Sequence, residues 1–222
     1  MIGKQFEIEL TGATPLLCHN DNLVWRDYLE AYRAEPANKK TGKPGDDRSP
    51  AWTWIGSLYV EEGVLVIPSD NLMTVIREGG TKCSTGKKGQ SFKALSQSGI
   101  IVDQAAWPIM VNGKDIPYAP IEKLRNEPDF SRHLKVCEEL GFSLFVKSVV
   151  INGRRNVRVR PRFDGWSIAG TITVLDELIT IKVVNDIWDQ AGRYAGLCDW
   201  RPSSKKAPGR FGTFTAEVKS VK

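Results

Sequence analysis

Apolar and polar positions alternate most clearly near the start, the middle and the end of the chain. Gln5 to Thr11 sets Phe6, Ile8 and Leu10 against Gln5, Glu7 and Glu9, the period-two pattern of a strand with one face on a core. Gly165 to Leu175 and Thr213 to Val218 repeat the pattern, the second with Phe214, Ala216 and Val218 on one face. Between them, Ser143 to Val150 is β-branched and aromatic, Asn152-Gly153 supplies the two positive-φ positions of a type I′ turn, and Asn156 to Arg162 returns in alternation. A β-hairpin arm over 143–162 is predicted. Shorter strands are expected at Tyr59 to Ile67, turning at Glu62-Gly63, at Ile100 to Val102, and in the β-rich run Leu178 to Val183; Asn112-Gly113 marks another tight turn.

Helical spacing runs from Asn22 to Ala34 through Leu23, Tyr28, Leu29 and Tyr32, with Pro36 as the stop. A second helix is expected over Asp70 to Glu78, N-capped by Ser69 and terminated by Gly79-Gly80. Pro128 to Leu140 suits a short helix with Phe130, Leu134 and Cys137 inward, and Asp186 to Leu197 a last one through Ile187, Ala191, Tyr194 and Ala195. The order of strand, helix, strands, helix, strand is compatible with an α+β fold built on a ferredoxin-like βαββαβ core, the fold of RRM-type modules. Trp52, Trp54, Leu58 and Tyr59 belong to the core, whereas 36–50 is Gly, Pro and charge, and 79–98 is Gly, Ser, Thr and Lys; both read as flexible insertions.

A chain of 222 residues suits one large domain, taken as 1–222. Cys18, Cys83, Cys137 and Cys198 form no C-x-x-C pair, and His19 and His133 lack ligand spacing, so no structural metal and a reduced, cytoplasmic setting are expected. No apolar run approaches the roughly 20 residues that span a bilayer, so no membrane partner is expected.

The net charge of +5 is moderate, and its clustering is what matters. Between Glu139 and Asp164 there is no acidic residue, while Lys147, Arg154, Arg155, Arg158, Arg160 and Arg162 are all cationic. On a strand Arg158, Arg160 and Arg162 share one face, opposite Val157 and Val159, at a spacing of roughly 6.5–7 Å. That is close to the spacing of phosphates on an extended nucleic-acid strand. The same arginines would also protect an exposed edge from aggregation. A second basic element carries Lys82, Lys87 and Lys88 with no acidic residue from Gly79 to Val102, and reads equally as a solvated loop.

Near the C-terminus, Gly209 and Gly212 bracket Arg210, with Arg201, Lys205 and Lys206 upstream as further candidate phosphate contacts. Glycines leave backbone N–H groups unshielded, so a phosphate can approach the main chain there; an ordinary turn into the last strand is the alternative. Trp200, between Asp199 and Arg201, reads as a corner of the core rather than as a base platform.

Asp199-Trp200-Arg201-Pro202 followed by Gly209-Arg210-Phe211-Gly212-Thr213-Phe214, taken with Gly12-Ala13-Thr14-Pro15-Leu16-Leu17-Cys18-His19-Asn20 and the arginine hairpin, resembles phage and mobile-element proteins similar to the RAMP superfamily. Within it the likeness is to the backbone subunits of multisubunit CRISPR effector complexes. The resemblance implies an RRM-like palm, a basic hairpin and a glycine-rich loop at Gly209, Arg210 and Gly212. It also implies repeated subunits along single-stranded RNA or ssDNA, in a homo-oligomer or a ribonucleoprotein with CRISPR-type proteins. The spacing of Arg210 to Phe214 departs from the RRM signature of paired stacking aromatics, so stacking on the sheet face is not expected.

Some RAMP relatives cleave RNA with a histidine base, and His19, after the first strand, is the position such a residue would take. No Lys or Tyr partner is adjacent to it in sequence, and Asp46-Asp47 lacks a third carboxylate for a metal site. Neither a Walker motif nor a G-x-G-x-x-G is present. The expectation is a non-catalytic, cofactor-free binder of single strands. The alternatives are a viral mimic that engages a host CRISPR-type complex through protein contacts, and a His19-dependent endoribonuclease.

Overall fold

The computed structural model describes residues 3–39, 51–151, 154–205 and 208–221. It is an α+β protein of antiparallel sheets and several helices. The first half carries β1 (Lys4–Gly12), β2 (Leu16–Leu17), α1 (Leu23–Ala34), α2 (Pro36–Lys39), β3 (Val60–Glu61), β4 (Val64–Pro68), α3 (Ser69–Lys82) and α4 (Lys93–Gly99). There follow β5 (Ile100–Val102), β6 (Ala106–Pro108), β7 (Met110–Val111), β8 (Lys114–Asp115), α5 (Ala119–Glu122) and α6 (Phe130–Glu139). The arm is β9 (Ser143–Ile151) with β10 (Arg154–Phe163), and the chain closes with β11 (Trp166–Val174), α7 (Ile181–Gln190), a π-turn over Ala191–Ala195 and β12 (Phe214–Ser220).

The main sheet runs β12-β1-β11, with β5 and the β7-β8 pair both on the far edge of β11. Every pairing is antiparallel. The alternation in β1 sends Phe6, Ile8 and Leu10 inward and leaves Glu7 and Glu9 exposed. Against the inner face pack Leu72, Val75 and Ile76 of α3 and Val184, Ile187 and Trp188 of α7. Trp188 bridges the layers, its ring 6.4 Å from Trp107 and 6.2 Å from Phe214.

Two of the three expected tight turns fall within the described residues and are present, with left-handed φ of 50° and 78° at Glu62-Gly63 and 54° and 72° at Asn112-Gly113. Several other expectations are corrected. Gly79 and Gly80 do not end α3, which runs on to Lys82. A Cβ on Gly79 would lie 2.3 Å from the Ile187 carbonyl oxygen, and one on Gly80 2.4 Å from Ser96 Oγ, so these glycines let α3 approach α7 and α4. The cap of α3 is Pro68, with no side-chain hydrogen bond. Leu178 to Val183 is not a strand: Thr180 Oγ1 accepts from Val183 N–H and caps α7. In α6 Cys137 is inward as expected, but its buried companion is His133, while Leu134 is exposed. Helix α1 is capped by Asn22 as expected but buries no residue fully, and Leu23 points outward.

Of the two insertions, Pro36–Lys39 forms one helical turn and 40–50 lies outside the described residues. In 79–98 both ends are helical, and the connection between them is closed by a bridge between Ser84 and Ser91. Among the described residues no helix is long and apolar enough to cross a membrane.

Candidate nucleic-acid interface

The arm forms as the alternation dictates, with β9 and β10 in register from Ser143↔Arg162 to Ile151↔Arg154. The Asn152-Gly153 turn lies outside the described residues. The base of the arm is anchored: β10 pairs with β2 at Arg162↔Leu17 and Phe163↔Leu16, and Phe163 packs on Phe142 at 5.0 Å. Further out, Val146, Lys147, Ser148, Val157 and Arg158 are exposed.

Register puts Phe145 beside Arg160 and Lys147 beside Arg158, so these side chains share the arginine face. Facing them is the loop 196–213. It opens with left-handed φ at Gly196 (70°), Cys198 (62°) and Trp200 (47°), two of them non-glycine residues in a region that costs about 1 kcal/mol or more each. Asp199, between the two, fixes the turn through three contacts. Its N–H donates to the Leu17 carbonyl at 2.9 Å, its Oδ1 accepts from Trp200 N–H at 3.0 Å, and its Oδ2 accepts from Arg160 Nε at 3.0 Å.

Arm and loop enclose a cleft of about 570 Å³. Its apolar wall is Phe145, Trp200 and Phe211, all half-buried, with ring centroids 5.3–6.4 Å apart. Its cations are Lys147, Arg162 and Arg210. Lys147 Nζ sits 4.5 Å from the Trp200 ring centroid. Arg210 is exposed, and neither it nor Arg158 has a carboxylate partner among the described residues.

The cationic row is thinner than the sequence predicts. Arg160 is not a free cation: only 8% exposed, it pairs with Asp199 and donates from Nη1 to the Val159 carbonyl. Arg162 donates to Asp164 Oδ1 at 2.8 Å, an exposed pair of little energetic weight that leaves it at the cleft. Arg154 and Arg155 stand in register with Ile151 and Val150, and their side chains lie outside the description.

Arg201 is likewise internal, donating to Cys198 O, Ser203 Oγ and Glu78 Oε1, so it ties the loop to α3. The glycine loop is no phosphate cradle. Gly209 N–H donates to Arg201 O at 3.2 Å and Gly212 N–H to Pro15 O at 2.8 Å, and a Cβ on either glycine would collide with the carbonyl oxygen of Trp200 or Leu197. Lys205 is exposed and Lys206 lies outside the described residues. Lys82, Lys87 and Lys88 do not join the cleft. Lys82 lines another groove between the ends of α3 and α7, its Nζ 5.9 Å from the Tyr194 ring, and Lys87 and Lys88 are exposed on the adjoining turn.

His19 is half-exposed, its Nδ1 3.9 Å from Asp199 Oδ2, and its carbonyl accepts from Tyr59 O–H at 3.0 Å. Burial and the Arg160 charge lower its pKa, against the opposing pull of Asp199. Tyr59, pushed up to about 12 chiefly by burial, remains a donor.

Phe145, Phe211 and the anchoring role of Asp199 are absent from the sequence-derived site. The first was accessible by parity, since Phe145 and Lys147 occupy the same strand face. Trp200 is a half-exposed cleft wall rather than a core corner. Phe214 is buried, and the outer face of the main sheet carries Glu7, Glu9 and Glu217 beside Lys219, a surface that repels phosphate. No known protein family matches the sequence, and no curated protein matches it.

Proposed function

We propose that this protein binds single-stranded RNA or ssDNA without catalysis, and that it assembles as repeated subunits along the strand, in the manner of the RAMP backbone subunits its motifs resemble. The observation that carries the reading is the convergence of Lys147, Arg162 and Arg210 around a cleft between an exposed arm and a strained loop, with Arg158 exposed beside Lys147 on the arm and the acidic sheet face elsewhere. Phosphate neutralisation and counterion release then supply most of the affinity. The fold adds support for a ferredoxin-like core: β1, α3, β5, β11, α7 and β12 follow a βαββαβ order, and their strands lie β12-β1-β11-β5 in the sheet.

Size-exclusion chromatography of protein not treated with nuclease, followed at 260 and 280 nm, tests this. A large species rich in 260 nm absorbance that collapses on nuclease treatment is expected. A protein-only monomer that also ignores added oligonucleotide contradicts it.

A second reading has one observation in its favour. His19 is half-exposed and its pKa is lowered, so that it is neutral and accessible near neutral pH as a general base must be. RNA cleavage abolished by His19→Ala would establish it, and cleavage that survives the substitution would end it.

A further inference from the structure

From the aromatic wall of the cleft we infer a seat for one unstacked nucleobase on Trp200, occupied in the free protein by the Lys147 ammonium. This rests on the single-strand reading above and specifies what part of the strand the cleft takes.

Three half-buried aromatic rings around a cleft of about 570 Å³ are not needed to close the core, which lies beneath the main sheet. The volume falls within the roughly 300–1,000 Å³ range of small-molecule sites. Phe145 and Phe211 pack on each other at 5.3 Å and hold the loop to the arm. Trp200 differs, because its ring carries the Lys147 ammonium at 4.5 Å. An exposed cation on an indole is worth about two- to fivefold in an equilibrium. Stacking of a base on an aromatic ring is worth roughly five- to 150-fold. A base therefore displaces the ammonium. The released Lys147, on the exposed arm, stays within reach of the phosphate beside the seated base, and Arg162 and Arg210 on the same cleft take the next charges.

The test compares binding of oligodeoxyuridylate, oligouridylate and a wholly abasic strand of the same length, about 12 nucleotides, by fluorescence anisotropy at one salt concentration. Wild-type protein is expected to bind at least one base-bearing strand about tenfold or more tighter than the abasic strand, and the preferred sugar identifies RNA or DNA. Lys147→Met is expected to weaken binding to all strands while keeping or widening that ratio, and Trp200→Leu to bring the ratio near one. Equal wild-type affinity for abasic and base-bearing strands overturns the base seat and leaves phosphate binding standing. Absence of binding to any strand overturns both. The wild-type comparison decides even if Trp200→Leu fails to fold.

Discussion

Arg160 Nε donates to Asp199 Oδ2 at 3.0 Å across 39 residues of sequence, joining the base of the arm to the loop that carries Trp200. Both partners are largely sheltered, with side chains 10% and 20% exposed. Removing the carboxylate would leave a buried guanidinium without its counter-charge. Asp199→Asn is therefore expected to destabilise the protein by about 3 kcal/mol, read from urea unfolding. Asp199→Asn with unchanged stability would show that the pair holds nothing in place.

The same carboxylate lies beside His19, whose pKa is lowered first by burial and then by Arg160, with Arg158 adding to the effect and Asp199 and Asp21 opposing it. A histidine with a lowered folded pKa binds fewer protons folded than unfolded. Its contribution is thus complete above the unfolded value near 6.5 and is lost as pH falls through that value toward the folded one. Unfolding free energies measured across this window should fall with acidification, and His19→Gln should flatten the fall. An identical pH profile in the variant would contradict the assignment.

Gly79 sits inside a helix, where alanine is intrinsically better by about 1 kcal/mol. Its added Cβ would meet the Ile187 carbonyl oxygen at 2.3 Å and Ala191 Cβ at 2.9 Å. Because backbone cannot rotate away as a side chain can, overpacking outweighs propensity, and Gly79→Ala is expected to lower stability by about 2 kcal/mol. A stabilised variant, measured by urea midpoint, would mean that α3 and α7 are further apart.

Thiol reactivity should follow burial. The Cys137 thiol is pushed up to about 12 and the Cys83 thiol to about 11, chiefly by burial, and Cys18 is raised by its hydrogen bond with Cys198 and by burial. The thiolate is the reacting form, so these three are expected to resist an aromatic disulfide reagent at pH 8 in native protein. Half-buried Cys198 should react first. Cys137 reacting as fast as Cys198 would contradict this packing.

Period-two strands were the most legible part of the fold. In β1, β11 and β12 a single buried face imposes alternation, and the Glu62-Gly63 and Asn112-Gly113 turns need left-handed residues that the sequence advertises. Leu178 to Val183 misleads because Ile179, Thr180, Ile181 and Val183 are β-branched, yet the spacing of Val184, Ile187 and Trp188 packs them together on one helix face. Gly79-Gly80 misleads because a close helix crossing and a helix stop use the same residue. At the site, parity located the cationic face. It could not reveal that Asp199, far off in sequence, neutralises its middle arginine, nor that carbonyls of Arg201 and Pro15 consume the N–H groups of Gly209 and Gly212. Pairings of that kind arise only from the tertiary fold.

The most direct test of strand binding at the arm is the dependence of oligonucleotide affinity on salt. Each phosphate contacted by a cation contributes about 0.7 to the slope of log K against log salt. Replacing Lys147, Arg158 and Arg210 together by glutamine, with the internal Arg160 left intact, is predicted to flatten the slope by about two units and weaken binding at low salt. A triple variant with wild-type slope and affinity would place the strand elsewhere on the protein.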